Sequence, residues 1–379
     1  MRLIYIVNAR IPTEKAHGIQ IMKMCETFAS CVDVELILPR RFNPIKKDPF
    51  EYYGVEKSFP IKRLPCLDLI PFDKYLGHLA LWIEAMSFCF FVWIYLFFKK
   101  ADVIYTRDKF LLPLTLFKGN IFFEAHAIPK NYFLYSFFLK RLKGIIVITE
   151  QLKNIFLKNK IKGNKLLKAP DGVDIKKFDI QCSTLEARKK LSLPQDKKIV
   201  LYTGHLYKWK GADVLLGAAQ QFSNTLFVFV GGTEKDIKTF KFQVSNFKLK
   251  NVLVVGHRPY SEIPYWLKAA DVLILPNSGK EDISKYWTSP LKMFEYMAAK
   301  KPIVASNLPS IREILNENSA ILVEPDDLKD LAQGIKKALE DSELSINISD
   351  KAYRGVQQYS WIRRGEKILK FINSKSFLV

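Results

Sequence analysis

The sequence predicts an α/β protein made of two doubly wound, parallel-sheet domains in tandem. Short apolar runs alternate with helix-length stretches, which is the pattern of strand–helix–strand units. The alternation occurs in two series, and a segment rich in Asp, Gly and Lys separates them at residues 169–183. The length of 379 residues suits two domains, each large enough to bury its own core.

Each series predicts its own sheet and helices. In the first, a helix is expected over 18–30 and strands over residues 3–7, 34–39, 103–105, 121–123 and 144–148. In the second, helices are expected from Gly211 to about Ala219 and over 291–299, and strands over residues 198–203, 226–230, 252–255, 272–276 and 303–305. We therefore expect Rossmann-like domains at residues 1–175 and 176–355. Ligands of such sheets bind at the carboxyl ends of the strands, so the expected site is a central cleft that the two domains face.

Composition indicates a basic cytoplasmic protein with an anionic partner. The 59 Lys and Arg residues exceed the 38 Asp and Glu residues by 21, and a net charge of +21 attracts nucleotide phosphates, acidic lipid or nucleic acid. The five cysteines are scattered without metal-ligand spacing, which favours a reducing compartment. The first apolar run is too short for a signal peptide and suits a strand.

Two segments indicate contact with a membrane. Residues 79–98 are apolar apart from Glu84 and Ser87, and a core or membrane-surface helix is favoured over a true span because a Glu within a span is costly. Residues 130–168 contain ten Lys or Arg and one acid, Glu150, interleaved with aromatic residues. This pattern is typical of a segment lying in anionic headgroups, and equally of a solvated face with core aromatics. Nucleic acid is not predicted, because no binding module is recognised.

Four motifs follow one another in the second half of the chain. They are Ala-Pro-Asp-Gly-Val-Asp at 169–174, Tyr-Thr-Gly-His-Leu-Tyr-Lys-Trp-Lys-Gly at 202–211, Ala-Ala-Asp-Val-Leu-Ile-Leu-Pro-Asn at 269–277 and Ser-Pro-Leu-Lys-Met-Phe-Glu-Tyr-Met-Ala at 289–298. In this order the series resembles the retaining glycosyltransferase family 4, the glycosyl transferases of group 1. The resemblance implies a GT-B fold, a nucleotide-diphosphate sugar as donor, and a lipid-linked or glycan acceptor. It also implies that residues 356–379 form a closing helix on the first domain.

The resemblance assigns the leaving diphosphate to the loop after the first strand of the second domain. Lys210 is the expected phosphate contact and catalytic cation, and Gly204 ends the strand. The family usually has an Arg after that Gly, where this chain has His205, which carries no fixed charge. Lys208, in the same loop, is the residue that could compensate for the charge missing at His205.

The segment 287–295 carries the other expected donor contacts. The amides of Leu291 and Lys292 open a helix and point at an anion, and Ser289 lies beside them. By resemblance, Glu295 accepts hydrogen bonds from the ribose hydroxyls of the donor. Where the family places another Glu on the transferred sugar, this chain has Trp287. Three alternatives remain: a carboxylate from Glu281 or Asp282, polar contacts from Thr288, Ser289 and Lys292, or stacking of the sugar on the Trp287 ring.

Further candidates lie at other strand ends. By resemblance, His126 is the cleft histidine of the first domain and contacts the donor sugar. Gly18, placed in the loop before the first helix, allows close approach of the backbone to the donor phosphates. His257 and Arg258 follow a strand, in a loop that the family places beside the nucleobase. Arg107 ends another strand, where an acceptor contact and a plain salt bridge are equally expected.

The sequence offers no Asp-x-Asp pair to hold a metal and no residue that stands out as a nucleophile. Transfer without a cofactor or metal, by attack on the same face of the sugar, is therefore the expectation. Two other functions remain open: a GT-B sugar-nucleotide epimerase, and a non-catalytic membrane-associated scaffold. A peripheral position at the inner face of the membrane completes the expectation.

Overall fold

The computed structural model describes residues 1–129 and 131–376. The chain divides into two compact units. Unit 1 comprises Met1–Ala169 together with Trp361–Val379, and unit 2 comprises Pro170–Ser360. Each unit contains one sheet in which every recorded strand pairing is parallel. The expectation of two parallel-sheet α/β domains is confirmed.

Unit 1 is built on a seven-stranded sheet in the order β3-β2-β1-β4-β5-β6-β7. Its strands are β1 (Arg2–Ile6), β2 (Asp33–Pro39), β3 (Ile61–Leu64), β4 (Val103–Thr106), β5 (Ile121–Ala125), β6 (Gly144–Val147) and β7 (Leu166–Lys168). Its helices are α1 (Ala16–Ala29), α2 (Pro49–Tyr53), α3 (Asp73–Leu76), α4 (His78–Phe98), α5 (Tyr132–Arg141) and α6 (Glu150–Lys158), with 3-10 helices at Ile70–Phe72, Lys109–Leu116 and Gly163–Lys165.

Unit 2 is built on a six-stranded sheet in the order β10-β9-β8-β11-β12-β13. Its strands are β8 (Lys198–Thr203), β9 (Thr225–Val230), β10 (Val252–Gly256), β11 (Val272–Leu275), β12 (Ile303–Ser306) and β13 (Ile321–Val323). Its helices are α7 (Ile175–Phe178), α8 (Thr184–Lys190), α9 (Ala212–Ala218), α10 (Glu234–Asn246), α11 (Ile263–Ala269), α12 (Asp282–Lys285), α13 (Leu291–Ala298), α14 (Pro309–Arg312), α15 (Leu328–Glu340) and α16 (Ser342–Val356), with 3-10 helices at Lys208–Lys210, Ala219–Gln221 and Tyr260–Glu262.

Each strand predicted from an apolar run is present, and the strands that were missed lie at sheet edges. β3, β7 and β13 have three or four residues each, and only one residue in each is buried. A short, half-exposed strand carries little apolar patterning, so it cannot be distinguished from a loop in the sequence.

The C-terminal helix α17 (Trp361–Ser376) belongs to unit 1. It packs along α1, where a Cβ on Gly365 would lie 2.3 Å from Cγ2 of Thr27. Its Phe371 ring meets Phe122 of β5 edge to face, with ring centroids 6.1 Å apart. Glycine at position 365 therefore lets α17 approach α1 closely enough to bury Ile368 and Ile372 in the core of unit 1.

The apolar segment at 79–98 forms α4 and has two different faces. Ala85, Phe88 and Val92 on one face are completely buried in unit 1. The other face is exposed along its length, from Leu79 to Phe97. Within the described residues, α4 is long and apolar enough to cross a membrane by length and composition alone.

Candidate functional site

Unit 2 gathers three ionisable side chains at the carboxyl end of β8, two of them buried and one half-buried. Lys210 lies at the end of the 3-10 helix after β8, and Lys292 and Glu295 lie on α13. Lys292 and Glu295 are 7% and 6% exposed, and Lys210 is half-buried. A Cβ on Gly204 would lie 3.9 Å from both Nζ of Lys210 and Cδ of Lys292, so Gly204 forms the floor between the two lysines. The φ of Gly204 is +122°, a conformation that side chains disfavour.

The Lys210 loop is held by the loop that follows β11. A Cβ on Gly211 would lie 1.7 Å from the carbonyl oxygen of Pro276, and its φ is +69°. The carbonyl of Trp209 accepts hydrogen bonds from the Ser278 amide at 2.9 Å and from the Ser284 hydroxyl at 3.2 Å. Only glycine fits at position 211, which explains why the Lys-Gly pair ends the motif.

Helix α13 is fixed against β8 and against the segment that opens unit 2. The hydroxyl of Tyr296 accepts a hydrogen bond from the Thr203 amide at 2.8 Å. The hydroxyl of Ser289 accepts one from the Asp171 amide at 3.0 Å. Pro290 precedes the first helical residue, Leu291, and its extended backbone starts the helix sharply. These contacts bring the first turn of α13, with its partial positive charge, to the lysine cluster.

Burial controls the charge of this cluster. It lowers the pKa of Lys210 to about 8 and holds the pKa of Lys292 well below its usual range, where the neighbouring Lys210 adds repulsion. Burial also raises the pKa of Glu295 to about 7, although the Tyr260 hydroxyl donates to its Oε1 at 3.0 Å. Two desolvated cations face one carboxylate, so the cluster is short of negative charge and suits a bound anion.

Two buried donor atoms in this region have no hydrogen-bond partner among the described residues: Nζ of Lys292 and Nε1 of Trp287. The Lys292 ammonium lies 3.8 Å from the centroid of the Tyr202 ring, a cation–π contact that uses none of its N–H groups. Orphaned buried donors are costly, so their presence indicates groups aimed at a ligand. Glu281 and Asp282 are exposed at the start of α12, and Thr288 is half-buried.

His205 is 8% exposed and turns away from open solvent. Its ring stacks on Tyr207 with centroids 4.9 Å apart, and its Nδ1 lies 3.9 Å from the Asp236 carboxylate at the start of α10. His257 and Arg258 are exposed in the loop after β10, and that loop continues to Tyr260, the partner of Glu295.

Unit 1 places His126 beside a fully buried carboxylate at the end of β5. Nε2 of His126 lies 2.7 Å from Oε1 of Glu124, which is 0% exposed. Glu124 also accepts hydrogen bonds from Gln20 Nε2 at 2.6 Å, from Arg364 NH2 at 3.0 Å and from the Tyr105 hydroxyl.

Burial alone would raise the pKa of Glu124, but the charge of Arg364 and the hydrogen bond with His126 hold that pKa well below its usual range. An ionised carboxylate can only accept, so Nε2 of His126 carries the hydrogen and the ring orientation is set. Arg107 donates to Gln20 and thus joins the same network.

Gly18 lies inside α1, so its prediction as a loop residue was wrong. A Cβ at this position would lie 2.0 Å from the Tyr53 hydroxyl. That hydroxyl accepts from the Thr13 amide at 2.8 Å and donates to the Thr13 carbonyl at 2.9 Å. The missing side chain at position 18 therefore makes room for Tyr53. A phosphate contact through the Gly18 backbone stays a prediction.

Sequence reasoning missed Tyr260 and Arg364, the partners of the two buried glutamates. Tyr260 lies in an exposed-looking polar loop, and Arg364 lies in a C-terminal helix far along the chain. No spacing rule connects either to its partner, although an Arg on the apolar side of an amphipathic helix was a usable signal. Among the described residues, no group of three or more His, Cys, Asp or Glu side chains is placed to hold a metal ion.

Comparison with known proteins agrees with this architecture. Residues 183–355 match the family model described as glycosyl transferases group 1. D-inositol 3-phosphate glycosyltransferase 1 of Catenulispora acidiphila is 24% identical over 205 residues, which cover 50% of this chain and 47% of the relative. UDP-Gal:alpha-D-GlcNAc-diphosphoundecaprenol alpha-1,3-galactosyltransferase of Escherichia coli is 26% identical over 214 residues, which cover 54% of this chain and 53% of the relative. The chain thus spans about half the length of the curated relatives it matches.

A solved structure extends the likeness to the whole chain. Anabaena Alr3699/HepE in complex with UDP and glucose superimposes with a TM-score of 0.77 at 16% identity, covering 99% of this chain and 100% of the other. At that identity the likeness concerns the fold, which is GT-B. The fold expected from the order of the motifs is confirmed.

Proposed function

We propose that this chain, which carries a group 1 glycosyltransferase domain at residues 183–355 on a GT-B fold, is a retaining family 4 glycosyltransferase. It takes a hexose from a nucleotide-diphosphate sugar and passes it to a lipid-linked or glycan acceptor. One observation carries the proposal: a buried lysine with an orphaned ammonium and a half-buried lysine converge with the first turn of a helix. Such a site is short of one anion, and a diphosphate supplies it.

The positive charges act on the leaving group. As the bond between the sugar and the diphosphate breaks, negative charge develops on the diphosphate. Lys210 and Lys292 stabilise that charge more strongly than neutral side chains would. Burial lowers the pKa of both amines, and the negative charge of a bound diphosphate raises it again, which favours the charged form of each lysine. The transfer needs no metal ion in this proposal, since the two lysines and the helix N-terminus supply the positive charge.

The rest of the donor is held by neighbouring groups. The Glu295 carboxylate, oriented by Tyr260, accepts hydrogen bonds from the ribose hydroxyls. The exposed loop with His257 and Arg258 contacts the nucleobase. The orphaned indole N–H of Trp287 donates to a hydroxyl of the transferred sugar, in the place where the family has a carboxylate. The ring of His126 is fixed by Glu124, and its role as a sugar contact stays a prediction.

Retention of configuration follows by attack on the face that the leaving group departs from. The acceptor hydroxyl forms the new bond to the anomeric carbon as the bond to the diphosphate oxygen breaks, and its proton passes to that oxygen. A covalent glycosyl-enzyme trapped with a slow substrate would contradict this route.

The donor assignment is tested by incubating the full chain with a panel of nucleotide-diphosphate sugars, with and without acceptor glycans. We expect slow hydrolysis without acceptor, unchanged by EDTA, and at least a tenfold loss in Glu295→Ala, because the buried carboxylate is the ribose ligand. Glu343→Ala, which alters an exposed carboxylate of the same unit, is the matched control. An epimerised donor as the product would contradict the proposal and indicate an epimerase. No binding of any nucleotide diphosphate would contradict it and indicate a non-catalytic scaffold.

Donor affinity should depend on pH with a maximum between about pH 7 and pH 8. Below about 7, Glu295 takes up a proton and loses its strength as an acceptor. Above about 8, Lys210 loses its proton and its attraction for the diphosphate. Titration calorimetry with a nucleotide-diphosphate sugar measures the profile, since its phosphate diesters do not titrate in this range.

Lys210→Arg provides the control for the alkaline limb. A guanidinium stays charged at these pH values, so the part of the affinity loss that comes from Lys210 should disappear, while the acid limb and any contribution of Lys292 remain. An alkaline limb identical to that of the unmodified protein would show that Lys210 does not bind the phosphates.

A further inference from the structure

The outer side of α4 presents a continuous stripe of large apolar side chains. They follow one another at three- and four-residue spacing and are between 40% and 72% exposed: Leu79, Trp82, Met86, Phe90, Trp93 and Phe97. Such spacing places them on a single face of the helix. We call them, together with the neighbours defined next, the aromatic face.

The aromatic face continues onto two adjoining elements of unit 1. The Trp93 ring meets Phe117, which follows the 3-10 helix Lys109–Leu116, with centroids 6.1 Å apart. Helix α5 packs on that 3-10 helix, and Nε of Arg141 donates to the Thr115 carbonyl at 3.3 Å. The exposed side chains added by these elements are Leu116, Phe117, Phe133, Leu134 and Phe137. A contiguous apolar patch of this size is rare on a protein surface that contacts only water.

The inner side of α4 shows that the helix does not cross a bilayer. Its Glu84 is 0% exposed and accepts a hydrogen bond from Asn8 at 2.9 Å. Its Tyr95 hydroxyl donates to the Glu35 carboxylate of β2 at 2.8 Å. A transmembrane position would break these bonds and remove Phe88 and Val92 from the core. The helix can therefore meet lipid only while lying along the surface of the membrane.

Cations border the aromatic face. Lys99 and Lys100 follow α4 directly and are exposed, and Lys140 and Arg141 are exposed at the end of α5. The one acidic residue within α4 is the buried Glu84. Lysines at the edge of an apolar face can extend their charged ends to headgroups while their stems stay in the apolar layer.

We propose that the aromatic face docks unit 1 in the plane of a bilayer that contains anionic lipid. The border of cations complements anionic headgroups, whereas a second copy of the chain packed by two-fold symmetry would bring like charges together. The docked helix α5 begins six residues after His126, so docking brings the β5 end of unit 1 towards the lipid surface. The docking is argued from the surface of unit 1 alone. Only the assignment of a lipid-linked glycan as the acceptor rests on the proposed function.

Vesicle flotation of the full chain tests the docking. We expect binding to phosphatidylcholine vesicles that contain phosphatidylglycerol, and weaker binding to vesicles of phosphatidylcholine alone. High salt should release the chain only in part from either kind of vesicle, because apolar contacts do not weaken with salt as ionic contacts do. Phe90→Ser combined with Phe97→Ser should weaken partitioning at least tenfold, because two side chains that are 55% and 72% exposed leave the apolar layer. Lys99→Gln combined with Lys100→Gln should remove most of the preference for anionic lipid.

Matched variants on unit 2 serve as controls. Phe242→Ser with Ile346→Ser removes comparably exposed apolar side chains, 66% and 65%, and should leave partitioning unchanged. Absence of vesicle binding at low salt, or a dimer in light scattering that the Phe90 and Phe97 substitutions convert to monomer, would overturn the docking. Donor hydrolysis in the same samples keeps the two proposals separate, because it does not depend on lipid.

Discussion

Replacing either lysine of the donor cluster, in Lys210→Ala or Lys292→Ala, should lower kcat for sugar transfer by a factor on the order of 10²–10³. Each substitution removes a cation from a desolvated position where charge develops on the leaving diphosphate. The fold should survive both changes. Burial lowers the pKa of each amine, which means that the charged lysine costs free energy in the folded state and that its removal does not weaken folding. Steady-state kinetics with a saturating nucleotide-diphosphate sugar, together with thermal denaturation, measure both effects.

The exposed neighbour Lys208 offers a matched control for this prediction. Lys208→Ala removes the same charge from the same 3-10 helix but from a solvated position, and should change kcat less than about threefold. Equal losses in the Lys208 and Lys210 variants would indicate a general electrostatic attraction of the donor. A fully active Lys292→Ala protein would contradict the assignment of the orphaned ammonium to the diphosphate.

Glu124→Gln should destabilise unit 1 by about 3–5 kcal/mol. Glu124 is the carboxylate partner of Arg364, which is 4% exposed, and its removal leaves a buried guanidinium without a counter-charge. An amide also cannot accept from all of Gln20, Tyr105, His126 and Arg364 at once. Denaturant unfolding of the full chain, followed on the transition of unit 1, measures the loss.

A double variant separates the ion pair from simple loss of packing. Arg364→Met added to Glu124→Gln removes both charges, and should be more stable than the sum of the single changes by about 1 kcal/mol or more. Glu340→Gln is the control, because its partner Lys336 is 3.9 Å away and both side chains are about two-thirds exposed, so no measurable change is expected. Additive single effects would mean that Glu124 and Arg364 stabilise the unit independently.

Much of the candidate donor site could be predicted from local sequence. The Lys-Gly ending of the loop after β8, the Pro before α13, and Lys292 and Glu295 on its first turns all lie within two short motifs. Their positions follow from the rule that ligands bind at the carboxyl ends of parallel strands. Gly18 shows the limit of the same reasoning, since its lack of a side chain is explained by Tyr53, which lies 35 residues away in the sequence.

By itself the sequence determined two α/β sheets and most of their strands, because a buried parallel strand must be apolar throughout and a surface helix amphipathic. Only the tertiary structure decided which charges are desolvated. The pKa of Glu295 rises and that of Glu124 falls, although nothing in the sequence around either residue distinguishes the two. Burial and the cations brought by distant segments set that difference, and no local pattern records them.

The same division holds for α4. Its sequence is apolar on all sides, so composition indicated only that the helix avoids water. Packing of one side on the sheet of unit 1 left the other side, from Leu79 to Phe97, exposed. The sequence determined that this helix needs an apolar environment. The tertiary structure decided that the core of unit 1 covers only one face of α4, because a helix packed against a sheet can bury one face and no more.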